Sequence, residues 1–447
     1  MARKPNIILL LSDDHGWDEA GFYGHPYLRT PVLDEMAESG LRFDRFYAAA
    51  PVCSPTRCSL MTGRHPNRSG CFSYNYSTRP EEIMLSRLLK EHGYNTAHFG
   101  KWHLGAVKAG SPLNPGAAGF DEWLSSDNFF ECNPVLSRRG EEPRVFYGEG
   151  SAIVVEEAIK YIDKVAGEDK PFFIFVCFGS PHAPYNAEDE DLALYADAEV
   201  KNELKHRWGE ITAMDRAIGR LRRYLADKGL KEDTIFWYMS DNGVPRDGVY
   251  ANPFKGCKGQ LYEGGIRVIS LLEYPRLITA PRISTYLSVT SDVMPTILEL
   301  AGIPQPPRIL DGLSLVPHLK GETGERPEPV CFWNYDRQAE SGGQPWIDPA
   351  LQGYITPTGG WRIRQFVNYV HPVAKTADFG GTAAIMDNRY KLLVHPDGKV
   401  ELFDILIDPA ETRNLAGRMP RVVAALRPRL EEWQASVERS LTGADYQ

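Results

Sequence analysis

Two pairs of acidic or amide residues stand directly after apolar runs that are typical of buried strands. Asp13 and Asp14 follow "NIILLLS", and Asp241 and Asn242 follow "TIFWYMS". Adjacent carboxylates repel each other and stay ionised together only beside a cation or strong hydrogen-bond donors. Three carboxylates and an amide oxygen form a hard ligand set that suits Ca²⁺ or Mg²⁺, not zinc. Each motif alone could be turn or helix-cap chemistry, but the two together favour a metal site.

Basic and imidazole side chains occupy other loops of the same kind. Lys101 and His103 lie two residues apart in "FGKWHLG", His182 lies between two prolines in "GSPHAPY", and Lys258 begins "KGQLYEGGIRV". A single histidine or lysine is usually a surface or core residue, and His25, His65, His92 and His395 are interpreted that way. Basic donors beside a dication, however, form a pocket for a tetrahedral anion such as sulfate or phosphate.

The stretch "PVCSPTRCSLMTGR" places Cys53 just before a predicted helix. Ser54 is a suitable N-cap and Pro55 a suitable first residue, and Arg57 falls in the first turn. A helix N-terminus and an arginine favour an anion, so we expect a lowered thiol pKa at Cys53. A thiolate is nevertheless a soft ligand that matches a hard oxygen site poorly. This mismatch suggests that the working atom at position 53 is an oxygen.

Strand and helix patterns alternate through the first two-thirds of the chain, and this alternation explains how such residues could meet. Short apolar runs at 6–12, 171–178, 234–240 and 267–273 predict strands, and amphipathic patterns between them predict helices. The pattern is typical of an α/β fold, a large and mostly parallel sheet sandwiched by helices. Ligands bind such sheets at the carboxyl ends of the strands, where the polar residues described above are expected.

The amino-acid composition changes near residue 306, where a stretch rich in proline and glycine predicts a linker. We expect an α/β domain over residues 1–325 and a smaller α+β subdomain over residues 326–447. The subdomain is predicted to contain a small antiparallel sheet, with a hairpin turn at Asp397 and Gly398, and a terminal helix over residues 421–441.

Composition narrows the classes of partner and the cellular address. The net charge of −9 argues against nucleic acid and anionic membrane surfaces. No apolar run is long enough to span a bilayer or to form the core of a signal peptide. Seven thinly spread cysteines fit a reducing compartment. As given, the sequence predicts a cytoplasmic protein, or a periplasmic or secreted one if an export signal has been removed.

The cysteine stretch resembles the sulfatase signature Cys-x-Pro-Ser/Thr-Arg followed by Thr-Gly-Arg, and further blocks resemble that family in family order. The signature positions are Cys53, Pro55, Thr56, Arg57, Thr62, Gly63 and Arg64. The other blocks are "PNIILLLSDDHGW", "TPVLDEMAESG", "GKWHLG", "PHAPY", "SDNG", "KGQLYEGGIRV", "LDGLSLVPHLKG" and "ELFDILIDPAETRNL". "RVISLLEYP" departs from the family, which usually has a proline after the valine. The chain is identified as a member of the type I, formylglycine-dependent sulfatases of the alkaline phosphatase superfamily.

The resemblance implies a role for each candidate residue. It implies that a maturation enzyme oxidises Cys53 to formylglycine, whose hydrate supplies an oxygen nucleophile and an oxygen ligand. It implies calcium, ahead of magnesium, as the metal. The implied calcium ligands are Asp13, Asp14, Asp241, Asn242 and the modified Cys53.

The remaining roles concern the hydrate and the ester. The resemblance implies that Arg57 steadies the hydrate and that Lys101 and Lys258 hold the sulfate oxygens. His182 is implied to protonate the leaving oxygen. His103 is implied to bind the second hydroxyl of the hydrate and later to take its proton, which expels sulfate and regenerates the aldehyde.

Three alternatives remain open at this point. A phosphonate monoester or phosphodiester hydrolase also uses formylglycine, and its pocket would look alike because both esters are tetrahedral. A catalytically silent binding protein would leave Cys53 unoxidised. Redox or zinc chemistry at Cys53, Cys58 and Cys71 has no paired motif to support it.

The substrate is expected to be a sulfated carbohydrate rather than a simple aryl or choline sulfate. The segment 331–381 carries aromatic and basic side chains that could stack on and clamp a sugar, or could equally pack the small subdomain. These are Trp333, Tyr335, Arg337, Trp346, Trp361, Arg362, Arg364 and His371. The stretch "RSGCFSYNYSTR" could also line the pocket.

Overall fold

The computed structural model describes residues 4–250, 252–322, 324–334, 346–351, 368–373 and 380–446. Within these ranges the chain forms sixteen strands. The strands are β1 Asn6–Ser12, β2 Leu41–Phe43, β3 Phe46–Tyr47, β4 Asn95–Lys101, β5 Glu122–Ser126, β6 Val135–Arg138, β7 Arg144–Val145, β8 Phe172–Cys177, β9 Thr234–Ser240, β10 Ser270–Glu273, β11 Arg282–Ser284, β12 Ser288–Val289, β13 Val330–Trp333, β14 Ala383–Met386, β15 Tyr390–Val394 and β16 Val400–Asp404.

Ten α-helices accompany these strands in the described ranges. They are α1 Pro31–Ser39, α2 Cys53–Thr62, α3 Leu85–Glu91, α4 Gly150–Val165, α5 Asp189–Ala193, α6 Asn202–Asp227, α7 Glu263–Ile266, α8 Val293–Leu300, α9 Val316–Leu319 and α10 Pro420–Leu441. None of them is long and apolar enough to cross a membrane.

One ten-stranded sheet forms the centre of the molecule, in the order β11-β2-β10-β9-β1-β8-β4-β5-β6-β7. Its five middle strands, from β9 to β5, run parallel, whereas β10 and β6 pair antiparallel at either side. The predicted α/β class is therefore confirmed, and the sheet is mixed because its edges reverse direction. The five parallel strands end at one edge of the sheet, where the polar loops follow them.

Alternate residues of β1 face opposite sides of the sheet, and both sides are covered. Ile7, Leu9 and Leu11 belong to a core shared with α2, α3 and α8. Ile8 and Leu10 belong to a second core shared with α1, α4 and α6. A continuous apolar run is what a strand needs when helices pack on both faces of its sheet.

The carboxyl-terminal strands form a separate four-stranded antiparallel sheet in the order β13-β14-β15-β16. The predicted hairpin turn joins β15 to β16, and Gly398 takes the positive φ of 83° that the turn requires. The terminal helix, predicted over residues 421–441, is α10, and its residues Leu426, Leu430 and Val437 pack on this sheet. The division of the chain between residues 325 and 326 stays a prediction.

A buried ion-pair cluster links the small sheet to the large unit. The Lys391 ammonium group on β15 lies 3.1 Å from Glu263 at the start of α7 and 2.9 Å from Glu411. Burial raises the pKa of Glu411 to about 7, although Lys391 opposes that rise. Removing the lysine would leave Glu411 facing the Glu263 carboxylate, whose other cationic partner is Arg267 at 3.4 Å.

We expect Lys391→Met to lower the free energy of unfolding by about 3–5 kcal/mol at pH 8, because it orphans buried charges. The loss should be smaller at pH 6. Without the lysine the folded-state pKa of the carboxyls rises further above the unfolded value, so their destabilising effect grows as pH rises. Urea unfolding at both pH values measures this. Lys399→Met removes an exposed partner of Glu401 as the control, and an equal effect of both variants would contradict the expectation.

Candidate active site

All ten predicted site residues lie together at the carboxyl edge of the large sheet. They are contributed by the loops after β1, β8 and β9, by the last residue of β4 and the loop after it, by the start of α2 and by the segment before α7. The residues are Asp13, Asp14, Cys53, Arg57, Lys101, His103, His182, Asp241, Asn242 and Lys258. Direct contacts join nine of them, and His103 lies buried beside the same cations, whose charges contribute to its pKa.

Each carboxylate of the site is paired with a cation. Lys101 Nζ lies 2.6 Å from Asp13 Oδ2, and Lys258 Nζ lies 2.6 Å from Asp14 Oδ1. Arg57 donates from Nη2 and Nε to Asp241 Oδ2 over 2.8 and 3.1 Å. Three negative and three positive groups therefore balance in a region almost closed to solvent, as buried charges must.

The two aspartates with shifted pKa values differ because their neighbours differ. Burial alone would raise the pKa of Asp14, but Lys258 and His182 hold it well below its usual range. Burial and the nearby Asp13 carboxylate raise the pKa of Asp241 to about 6, against the opposing effect of Arg57. Asp241 is therefore the carboxylate that most needs additional positive charge.

The backbone and the amide of Asn242 fix the carboxylates. Asp14 adopts a φ of 65°, a conformation uncommon for a residue other than glycine. Its N–H donates to Asp241 Oδ1 over 3.1 Å, and Asn242 Nδ2 donates to Asp14 Oδ1 over 2.7 Å. Asn242 Oδ1 is buried without a hydrogen-bond partner among the described residues. A buried acceptor next to three carboxylates fits a cation, so the donor set suits the hard dication inferred from sequence.

Cys53 lies against this cluster, but its environment differs from the predicted one. The thiol donates to Asp13 Oδ1 over 3.4 Å and to Asp14 Oδ1 over 3.8 Å. The pKa of Cys53 is raised well above its usual range by burial and by the Asp241 carboxylate, despite Lys101 and Lys258. The predicted lowering of the thiol pKa is therefore wrong, because burial and nearby carboxylates outweigh the helix terminus and the cations.

The start of α2 is also shifted from the prediction. The helix begins at Cys53 itself, and the residue in the N-cap position is Val52, which offers no side-chain acceptor. Ser54 lies inside the first turn, and its Oγ is buried without a hydrogen-bond partner in the described part of the chain. The Cys53 side chain thus projects from the first turn, and Arg57 extends from the next turn towards Asp241.

His103 is buried and His182 is partly buried, and loss of solvent lowers the pKa of each. His182 Nε2 lies 3.7 Å from Asp14 Oδ2, and its ring stacks on Phe129 at 4.4 Å with an interplanar angle of 14°. Burial lowers the pKa of His182 to about 3, although Asp14 opposes this. Burial and the positive charge of Lys101 hold the pKa of His103 well below its usual range. Both imidazoles are therefore neutral near pH 7.

Sequence reasoning missed Phe129 because "NFFE" resembles an ordinary core segment. The residue is 3% exposed, and its partner in the stack is visible only in three dimensions. His182 and Phe129 lie far apart in the sequence, and their spacing does not predict that the two rings stack. Phe129 belongs to the site as the apolar cover of one imidazole face.

The predicted aromatic segment supports packing more than sugar binding where the structure describes it. Trp333 belongs to the core beneath α10, and the buried His371 ring contacts Phe72. Trp346 lies over the Arg79 guanidinium at 4.8 Å. Five of the predicted residues lie outside the described residues, namely Tyr335, Arg337, Trp361, Arg362 and Arg364.

The redox or zinc alternative at Cys53, Cys58 and Cys71 has no metal-ligand group that contains all three cysteines among the described residues. All seven cysteines are described and free. Among the described residues, the group of side chains spaced to hold a metal ion comprises Asp13, Asp14, Cys53 and His182. Cys58 lies 3.3 Å from Ser69 Oγ, and Cys71 donates to a backbone carbonyl. Cys58 and Cys71 are thus packed away from that group.

Comparison with known proteins agrees with this fold and this arrangement. The sulfatase family model matches residues 5–303, and the chain belongs to the sulfatase family. It is 35% identical to N-acetylgalactosamine-6-sulfatase of Rattus norvegicus over 365 residues, which cover 73% of this chain and 68% of that protein. The resemblance of the cysteine stretch to the sulfatase signature is therefore confirmed at the level of the family.

Two solved structures illustrate how widely the fold is shared. Ps i-CgsB, in complex with k-i-k-neocarrahexaose, is 26% identical with a TM-score of 0.79, covering 96% of this chain and 92% of that one. The phosphonate monoester hydrolase of Agrobacterium radiobacter is 20% identical with a TM-score of 0.67, covering 97% of this chain and 96% of that one. At that lower identity the likeness shows a common fold alone.

We expect Phe129→Ala to raise the pKa of His182 from about 3 by roughly one unit or more, because water reaches the exposed ring face and burial is the main cause of the shift. NMR titration of protein labelled with ¹³C-histidine measures this, with His182→Gln to assign the signal. Phe129→Leu keeps an apolar cover and should shift the pKa less. An unchanged pKa in Phe129→Ala would show that burial does not set it.

Proposed function

We propose that this chain hydrolyses sulfate esters, with sulfated carbohydrates as the substrate class, through formylglycine at position 53 and a bound calcium ion. The observation that carries the proposal is the contact of Cys53 with Asp13 and Asp14 inside a cluster of three carboxylates and three cations. Such a cluster offers oxygen ligands to a dication and basic donors to a tetrahedral anion within one enclosed volume.

The metal would be held by carboxylate oxygens of Asp13, Asp14 and Asp241 and by Asn242 Oδ1. Support comes from the unsatisfied Asn242 oxygen and from the raised pKa of Asp241, both of which a nearby dication would relieve. Calcium is favoured over magnesium because it accepts a larger and less regular set of oxygen ligands. A dication held by these residues would supply Lewis-acid polarisation of the ester and of the attacking oxygen.

Position 53 requires an oxygen for this chemistry. The raised pKa keeps the Cys53 thiol protonated, so it is a poor nucleophile and a poor ligand beside Asp13 and Asp14. Oxidation by a maturation enzyme to formylglycine, an aldehyde that hydrates, would replace the thiol with oxygen groups suited to a hard cation. Arg57 lies one turn further along α2 and donates two hydrogen bonds to Asp241. From there its guanidinium would steady those oxygen groups.

The cations and histidines would act on the ester itself. Lys101 and Lys258 pair with carboxylates whose charge a dication would share, so their ammonium groups could then donate to sulfate oxygens. The neutral His103 is suited to accept a proton. His182 is suited to protonate the leaving oxygen once an anionic ester beside it raises its pKa.

The substrate class rests on relatives rather than on residues of the described structure. The relative reported above is an N-acetylgalactosamine-6-sulfatase, and the structural neighbour Ps i-CgsB was solved with a neocarrahexaose. Both names point to saccharides. The competing function, hydrolysis of phosphonate monoesters or phosphodiesters, shares the tetrahedral geometry and is best decided by rates.

We expect the matured protein to hydrolyse sulfated N-acetylgalactosamine faster than matched aryl sulfate, aryl phosphonate and phosphodiester substrates. Cys53→Ala should lower kcat by on the order of 10⁴-fold or more, because it removes the source of the nucleophile. Cys58→Ala, on the same helix, is the matched control and should retain activity. Sulfate release measured by ion chromatography gives the rates. A preference for the phosphonate would overturn the sulfatase assignment, and turnover of aryl sulfates alone would overturn the carbohydrate assignment.

Removal of calcium should abolish hydrolysis, and added Ca²⁺ should restore it. Asp241→Asn should weaken calcium binding by at least about tenfold, because it removes one ligand charge and the ion pair that holds Arg57. Isothermal titration of the chelator-treated protein with Ca²⁺ measures the affinity. Asp397→Asn, in the exposed hairpin turn, is the control. Equal calcium affinity in wild type and Asp241→Asn would contradict the assigned site.

A further inference from the structure

Arg207, on the long helix α6, reaches two of the loops that carry site residues. Its side chain is fully buried. Nη2 donates to the backbone carbonyl of Asp14 over 2.6 Å, and Nη1 donates to the backbone carbonyl of Pro181 over 2.6 Å. One guanidinium group therefore joins the loop after β1 to the loop after β8, directly beside His182.

Glu19 fixes the orientation of this guanidinium. Arg207 Nε donates to Glu19 Oε1 over 2.7 Å, and Nη2 donates to Glu19 Oε2 over 2.5 Å. Glu19 in turn accepts the backbone N–H of Gly16 over 2.7 Å. The two-point contact sets the plane of the guanidinium, so its remaining donors point at fixed positions.

Two further contacts extend the same junction. The guanidinium lies 5.4 Å from the centre of the Tyr185 ring, which follows His182 in the same loop. A β-carbon placed on Gly248 would lie 2.9 Å from Arg207 Nε, so the backbone of the loop after β9 passes directly over the side chain. Arg207 thus touches the loops after β1, β8 and β9.

We propose that Arg207 is a positioning residue that sets Asp14 and His182 relative to each other. Asp14 holds an uncommon φ of 65°, and the bond from Arg207 to its carbonyl stabilises that conformation. His182 Nε2 lies 3.7 Å from Asp14 Oδ2, a separation fixed by the two carbonyls that Arg207 holds. The consequences for catalysis and for calcium affinity rest on the function proposed above, whereas the consequence for loop order does not.

The geometry requires arginine and not merely a positive charge. A lysine at position 207 could pair with Glu19, but its compact ammonium group cannot also place donors on Asp14 and Pro181 in one plane. Arg207→Lys therefore keeps the positive charge beside Glu19 but removes the hydrogen bonds that hold the two carbonyls. The double variant Arg207→Met/Glu19→Gln removes the buried charge pair as a unit, so it tests the lost carbonyl contacts without an orphaned charge.

Hydrogen–deuterium exchange of the whole chain measures the order of the loops directly. We expect faster exchange in both residues 12–19 and residues 179–186 in Arg207→Lys and in the double variant. Arg222 lies on the same helix as Arg207 and pairs with Glu273 of β10. Arg222→Met breaks that ion pair, is the matched control and should leave both segments unchanged. Calcium affinity by isothermal titration should fall by about 10- to 100-fold in the two Arg207 variants.

Kinetics adds a second readout. We expect kcat for the sulfated sugar to fall by about 100-fold in Arg207→Lys, with a much smaller change in KM, because misplacement of reacting groups costs rate more than binding. Wild-type exchange in both segments together with wild-type kcat in Arg207→Lys would overturn the proposal. The proposal would also be overturned if Arg207→Lys lost thermal stability uniformly, as Arg222→Met does, with no selective increase in exchange in the two segments. If the wild-type chain hydrolyses no sulfate ester, the proposed function fails, and the exchange measurement still decides whether Arg207 orders the two loops.

Discussion

Three carboxylates buried at one edge of a sheet can remain ionised only if positive charge lies against them, and the arrangement of this protein follows from that requirement. Lys101, Lys258 and Arg57 arrive from three different segments to meet Asp13, Asp14 and Asp241. Each cation must be held close to its carboxylate, because an unpaired buried charge costs several kcal/mol. The parallel strands of the sheet supply that accuracy by ending together.

The same constraint explains why the site is built on rigid elements and yet has local strain. Asp14 and His103 both adopt positive φ values, 65° and 56°, which surrounding contacts must stabilise. Burial that makes the ion pairs strong also raises the pKa of the Cys53 thiol and lowers the pKa values of the two histidines. The environment thus disfavours sulfur chemistry at position 53 and favours neutral imidazoles that a bound anion can charge.

Much of the fold and the cluster can be predicted from sequence because the signals are local. Continuous apolar runs mark the buried strands, and the rule that ligands bind at strand ends is enough to bring Asp13, Lys101, His182 and Asp241 to one edge. The family signature then connects Cys53 to them. These predictions need only strand type and strand direction.

The errors and omissions are of a different kind, because they depend on the sum of contacts in three dimensions. A helix terminus and one arginine predict a lowered pKa for the Cys53 thiol. Burial and the Asp241 carboxylate outweigh them and raise that pKa. The helix starts at Cys53 with Val52 in the N-cap position, and no side-chain cap marks that start in the sequence. Arg207 occupies one position of a 26-residue amphipathic helix, and nothing in its spacing distinguishes it from the neighbouring surface arginines.

The chemical state of residue 53 tests most directly the proposal that this position works through oxygen. Mass spectrometry of the tryptic peptide covering residues 46–57 measures this state in protein made with the formylglycine-generating enzyme. We predict that residue 53 is recovered as the aldehyde or its hydrate. Recovery of an intact Cys53 thiol in protein that nevertheless hydrolyses the sulfated sugar would contradict it.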